Sequence, residues 1–174
     1  MRTLETAAKT GFDAVQLWCL PTTDHAFFHE CTQHFDITLH TQLGTDLGER
    51  MAHAIAATLH HSRHVILIGT DCPSLTSETL NGAAKLLDQG VEAVIAPALD
   101  GGYVLLGVSQ PCPELFASID WGSDAVMQST RERLRMLGWK WHELAAHRDI
   151  DRAEDLDSLP VKRSFPTLPI KMDR

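Results

Sequence analysis

The sequence predicts an α/β fold, a three-layer sandwich with a mainly parallel sheet, on two observations. Short apolar runs alternate with segments of helical period along the chain, and strands alternating with helices imply crossover connections that set strands parallel. The run Val65–Gly69, "VILIG", is apolar on both faces, as a central strand covered by helices should be. A length of 174 residues, 44% hydrophobic and 22% charged, suits one soluble domain with a real core.

Arg2–Thr10 reads as a helix end with Gly11 as its stop, and Ala14–Leu20 as a strand closed by Pro21. His25–Cys31 forms a short helix and Ile37–Gln42 a short strand in this reading. Asp46 with Glu49 makes a capping-box-like start, and Leu47, Met51, Ile55 and Leu59 recur every four residues on one helix face. After the strand Val65–Gly69, a helix runs from Ser77 to Leu87 and stops near Gly90. Ala93–Ala98 and Tyr103–Val108 are strands on either side of Asp100-Gly101-Gly102. Ser123 or Asp124 caps a helix whose buried stripe is Val126, Thr130, Leu134 and Leu137; Gly138 ends it and Trp139–Leu144 is a final strand. The reading places one domain over residues 1–160, and a basic tail with two prolines over 161–174.

Composition removes several classes. No window approaches the roughly 18 uninterrupted apolar residues of a membrane helix, and the N-terminus carries no apolar signal core. A cytoplasmic protein without a membrane partner is expected. A formal charge of −8 disfavours a nucleic-acid partner. Four cysteines lie far apart with no C-x-x-C pair, which fits a reducing compartment. Phosphate-loop, dinucleotide-binding and nucleophile-elbow motifs are all absent. The histidine pairs His25/His29 and His60/His64 have helical spacing, but lack the H-E-x-x-H pattern of a zinc site, so surface and packing roles are expected.

The acids are more informative. In open α/β sheets ligands bind beyond the carboxyl ends of the strands, where Asp71 stands in "VILIGTDCPSLT"; a turn cap before Pro73 is the alternative. Asp100 follows another strand, and Gly101 and Gly102 permit either close approach to a ligand or a tight hairpin. Asp149 and Asp151 follow the last strand, where Asp151 also suits a helix cap. Carboxylates gathered about 4 Å apart repel by roughly 4 kcal/mol per pair at an effective dielectric near 20. A divalent cation removes that repulsion, and Mg²⁺ characteristically uses one or two carboxylates with substrate phosphate oxygens. Gln42–Arg50 places a helix N-terminus after a strand, a common anion site with Asp46 and Arg50 at hand. Trp121 suits a pocket wall or the core.

The stretches "VILIGTDCPSLT", "PALDGGYVLLGV", "LFASIDWGSDAVMQST" and "DIDRAEDL", spread from about Phe12 to Leu156, resemble the radical-SAM/selenodomain-associated transferases. These are glycosyltransferase-like proteins of the nucleotide-diphospho-sugar transferase superfamily, with the GT-A fold. The chain is similar, more distantly, to molybdenum-cofactor and 2-phospholactate guanylyltransferases. The resemblance implies a transferase of nucleotidyl or glycosyl groups, using a nucleotide or nucleotide-sugar donor, a small-molecule acceptor and Mg²⁺ or Mn²⁺. Asp71 matches the strand-end acid that binds metal and phosphate, and Asp151, or else Asp149, matches the second metal ligand. Asp71 and Asp100 become the catalytic candidates. Gly101, Gly102 and Tyr103 fall where relatives hold acceptor or sugar, with Trp121, Ser123 and Asp124 nearby.

The same resemblance implies that a first strand and its nucleotide-gripping loop are missing, because the chain begins where the following helix should be ending. Thr45 also stands where relatives commonly carry Gly. The missing strand would leave a sheet edge that a homodimer could cover. The alternatives are a non-catalytic GT-A-like binding domain or an inactive fragment of a longer transferase.

Overall fold

The computed structural model describes residues 1–148. The expectations for Asp149, Asp151, the domain end at 160 and the tail 161–174 lie outside the described residues.

Three of the five described helices begin where a side chain takes up a free backbone N–H. Helix α1 (Arg2–Ala8) is followed by strand β1 (Gln16–Cys19) and helix α2 (Ala26–His34). His25 caps α2, its Nδ1 accepting from the Phe27 N–H at 3.2 Å, and His29 Nε2 lies 3.1 Å from Asp24. These histidines therefore have local partners, as surface and packing roles require. After strand β2 (Thr38–Thr41), Asp46 caps helix α3 (Leu47–Leu59) by accepting from the Glu49 N–H at 2.8 Å. Glu49 reaches back to Thr45 rather than to Asp46, accepting from its N–H and its hydroxyl, both at 2.7 Å. Those bonds hold the Glu49 carboxyl below its ordinary range. Asp46→Ala is expected to cost about 1 kcal/mol, read as a lower urea midpoint at unchanged slope.

Strand β3 (Val65–Ile68), helix α4 (Ser77–Asp88), and strands β4 (Ala93–Pro97) and β5 (Tyr103–Val108) follow. Thr76 caps α4 through the Thr79 N–H at 3.2 Å. A 3₁₀ turn (Pro113–Leu115), helix α5 (Val126–Leu137) and strand β6 (Trp141–Glu143) complete the described elements. The start of α5 corrects the sequence reading. Its N-cap is Ala125, with no side-chain cap. Ser123 serves the preceding turn instead, donating to the Asp120 carbonyl at 2.8 Å and accepting from the Ala125 N–H at 3.3 Å.

Two sheets result, β1 parallel to β2, and four strands in the order β3-β5-β4-β6. In the larger sheet β3, β4 and β6 point one way and β5 runs against them. The reversal follows from the tight turn at Leu99–Gly102, which joins β4 to β5 as a hairpin. The expected central position of β3 is corrected. Among the described residues β3 pairs only with β5, and all four of its apolar residues remain half-buried. Apolar character on both faces marks coverage by helices, but it does not distinguish an edge from a centre.

Alternation along the strands builds the three layers. Val94, Ala96 and Leu105 face Leu80, Ala83 and Leu87 of α4. On the opposite face Ile95, Leu106 and Val108 meet Ile55 of α3 and Met127 and Leu134 of α5. Ile95, Leu105 and Leu106 are fully buried, each contributing on the order of 1.5–3 kcal/mol through the apolar area it removes from water.

An ion pair joins α5 to β6. Glu143 accepts from Arg131 at 2.9 and 2.8 Å and from Trp141 Nε1 at 3.2 Å. The guanidinium bonds hold the Glu143 carboxyl below its ordinary range. A carboxyl depressed in the folded state stabilises above its unfolded value, about 4.3, and loses that contribution as pH falls through its folded value. Glu143→Gln is therefore expected to show a shallower acid-induced loss of stability below about pH 4.3 than the parent chain. Urea denaturation at stepped pH checks this.

Candidate functional site

The carboxyl ends of β3, β4 and β6 and the start of β5 share one edge of the larger sheet, since Ile68 pairs with Leu105, Pro97 with Tyr103 and Ile95 with Glu143. The Gly69 N–H extends the ladder by donating to Val104 at 3.0 Å. Two residues later Asp71 stands exposed. Its carboxylate folds back over Gly69: a Cβ at that position would lie 2.6 Å from Asp71 Oδ1. The G-T-D spacing thus has a steric reason, for any larger residue would push the carboxylate away.

On the adjoining strand end, Asp100 Oδ1 accepts from the Gly102 N–H at 2.9 Å and closes the turn. Gly101 has φ +99, and its Cα lies against the backbone of Asp124, so that an added Cβ would collide with the Asp124 carbonyl. The Gly101 carbonyl in turn accepts from the Met127 N–H at 2.7 Å. The Asp100–Gly102 turn is therefore docked on the first turn of α5. Asp124 is exposed beside it.

Trp121 links this lip to α3. It meets Tyr103 edge-on, with ring centroids 6.4 Å apart, and stacks on Phe116 at 6.3 Å. Its indole also covers Gly48, where a Cβ would lie 2.5 Å from Nε1. The Tyr103 hydroxyl lies 3.9 Å from Met51 Sδ, and burial pushes its phenol above the ordinary range, leaving it protonated. Asp46 and Arg50 belong to the same end of α3: Asp46 is engaged as the cap, and Arg50 Nε donates to the Gly44 carbonyl at 3.1 Å. The structure thus gathers Asp100, Gly101, Gly102, Tyr103, Trp121 and Asp124 into one lip at the sheet edge that also carries Asp71. Ser123 lies in the same loop but is spent on its own turn.

Ser74, His147 and Met51 carry no site role in the sequence reading. Ser74 Oγ lies 3.0 Å from His147 Nδ1, across 73 residues of chain. Burial pulls the His147 imidazole below its ordinary value, toward the neutral form. All four cysteines are free, and burial raises the Cys19 and Cys31 thiols.

Asp71 offers exposed, hard oxygen donors, which suit Mg²⁺ or Mn²⁺ when phosphate oxygens supply most of the remaining ligands. Among the described residues no group of three or more potential ligand side chains gathers. No helix among the described residues is long and apolar enough to cross a membrane.

This architecture is the nucleotide-diphospho-sugar transferase, GT-A-like, fold. A candidate nucleotide-diphospho-sugar transferase from Desulfovibrio desulfuricans superposes with a TM-score of 0.78 at 31% identity, over 90% of this chain and 68% of that one. Residues 3–123 match the family described as "Uncharacterized protein conserved in bacteria (DUF2064)", and the chain belongs to that family. The fold is shared with a cytidylyltransferase from Leptospira borgpetersenii, at TM-score 0.63 and 17% identity over 90% of this chain and 71% of that one. It is shared also with a 4-diphosphocytidyl-2C-methyl-D-erythritol synthase from Anaerococcus prevotii, at 0.66 and 12%, over 90% and 82%. No curated protein matches the chain.

Proposed function

We propose that this chain belongs to a metal-dependent transferase that moves a nucleotidyl or glycosyl group from a nucleotide or nucleotide-sugar donor to a small-molecule acceptor. The observation that carries the reading is the placement of Asp71: an exposed carboxylate just beyond a strand end, at the edge where open α/β sheets bind ligands. A relative named as a candidate nucleotide-diphospho-sugar transferase supports it. The quoted motifs further suggest the radical-SAM/selenodomain-associated branch, and the widely spaced cysteines suit a cytoplasmic setting.

In this reading Asp71 holds Mg²⁺ or Mn²⁺ against the donor's phosphates, together with Asp151 or Asp149. When bound, the cation offsets negative charge developing on the leaving pyrophosphate or nucleotide. The protein's own contribution is position. Asp100, fixed by its bond to Gly102, and the Gly101–Gly102 backbone orient the acceptor, while Tyr103 and Trp121 wall the lip on the α3 side. Asp124, and more weakly Ser123, Asp46 and Arg50, border the acceptor or phosphate region. Alignment of acceptor and donor supplies much of the rate in such transfers, because there is little covalent chemistry for side chains to perform.

The test is to incubate the chain with Mn²⁺, a panel of nucleoside triphosphates and nucleotide sugars, and a mixed acceptor pool. Pyrophosphate release would mark nucleotidyl transfer, and nucleoside diphosphate release glycosyl transfer. Cation-dependent binding without either product would favour a non-catalytic binding domain.

A further inference from the structure

We propose that the groove between the two sheets is a docking slot for one extended apolar strand of another polypeptide, inserted parallel to β1 and β3. The inference does not depend on the metal-site reading. Among the described residues the two sheets do not pair with each other, yet α3 grips both. The Thr58 hydroxyl of α3 donates to the Gln16 side chain of β1 at 2.8 Å, and His53 meets Trp18 of β1 edge-on at 5.6 Å. On its other side Ile55 packs with Val65 and Leu67 of β3. A helix with its side chains is about 10 Å across, roughly two strand spacings of 4.8 Å. Edges held by the two sides of one helix therefore leave room between them for a single strand.

The backbone of the two walls specifies what fits. The Val15 and Cys19 carbonyls accept from the Thr38 and Gln42 N–H groups at 3.1 and 2.8 Å. Alternation then turns the backbone groups of Gln16 and Trp18 away from β2, into the groove. The Trp18 carbonyl meets only a side chain there, the Gln42 amide at 3.1 Å. On the opposite wall the Gly69 N–H bonds to Val104. The same register points Val65 and Leu67 at β5 and turns the backbone groups of Ile66 and Ile68 into the groove. Two rows of strand-type donors and acceptors thus face each other, and an extended peptide is the partner that can satisfy both at once. Trp18, Met51, Ala54 and Leu67 line the groove, so the inserted side chains should be apolar.

The walls also set a direction. Helix α3 starts at the lip, where the Trp121 ring covers Gly48, so β2, which leads into α3, ends at that edge. Strand β3 ends there too, just before Asp71. Because β1 is parallel to β2, both walls run the same way. A strand parallel to them brings its carboxyl end out beside Asp71, at the edge where ligands bind. A second copy of the chain docked edge to edge would satisfy one row only, which is why a single inserted strand is the better partner.

The test is amide hydrogen exchange of the full chain by NMR, alone and with a soluble peptide of consecutive valines and isoleucines flanked by lysines. In the chain alone the Ile66, Ile68 and Trp18 amides are expected to exchange about tenfold faster than those of Leu67 and Leu17, which bond within their sheets. The peptide should slow all of the groove amides about tenfold and raise the melting temperature. A peptide with prolines at its centre, which lack the N–H, should do neither. Slow exchange of Ile66, Ile68 and Trp18 in the chain alone would show the groove closed or filled by the chain's own residues, and would overturn the proposal. No slowing by the valine-isoleucine peptide, or slowing along one wall only, as simple edge pairing would give, would overturn it equally.

Discussion

Asp71→Ala is expected to lower the affinity for Mn²⁺-bound nucleoside triphosphate by 100-fold or more, about 3 kcal/mol, without unfolding the chain. The two halves of that expectation have separate causes. Asp71 lies outside the ladder: the last bonded backbone group of β3 is the Gly69 N–H, and Asp71 is exposed. Its side chain covers Gly69 and fills no core position, so truncation opens no cavity and stability should change by less than about 0.5 kcal/mol. The affinity loss comes from removing a carboxylate that would contact the cation directly, which should exceed the roughly 10–100-fold effect of a residue that only supports a ligand. Calorimetry for binding and urea denaturation for stability separate the two.

Gly101→Ala should produce the largest loss of stability among the site variants, roughly 3 kcal/mol or more. Two costs combine at this residue. Its φ of +99 is a conformation that alanine rarely adopts, and the new methyl would be driven into the Asp124 carbonyl. That neighbour is backbone two residues before α5, and the bond from the Met127 N–H to the Gly101 carbonyl keeps the turn against it. Relief requires the Asp100–Gly102 turn to lift from α5, which breaks the 2.7 Å bond and moves Asp100. In a chain of this size the destabilisation corresponds to a fall in Tm of about 6–12 °C. Gly102→Ala makes a useful contrast. Its Cβ would meet only Asp100 Oδ1, at 3.3 Å, and its milder effect should confirm that Gly101 is the constrained member of the pair.

Much of this arrangement was legible in the sequence, for identifiable reasons. Helix α3 announces itself through Asp46 and a four-residue apolar repeat, and Asp71 stands out because an apolar run ends in a carboxylate. Local patterns misled where two geometries satisfy the same chemistry. Ser123 and Asp124 look like caps for α5, yet Ser123 closes the turn before it and Ala125 takes the cap position. Glu49 completes a capping interaction with Thr45, one residue earlier than the box pattern implies. The edge position of β3 was hidden for a different reason, because "VILIG" records which faces are covered and not how many strands lie beside it. Long-range contacts were invisible altogether: nothing near Ser74 points to His147, and nothing near Gly48 points to the Trp121 ring packed against it.

The proposed function depends on phosphate being held at Asp71 through a divalent cation. Calorimetric titration of nucleoside triphosphates and nucleotide sugars into the chain, with Mn²⁺ and then with a chelator, tests it most directly. Binding of at least one nucleotide is expected to require Mn²⁺ and to be lost in Asp71→Ala. Binding of equal strength in the chelated sample, or unchanged in the variant, would contradict it.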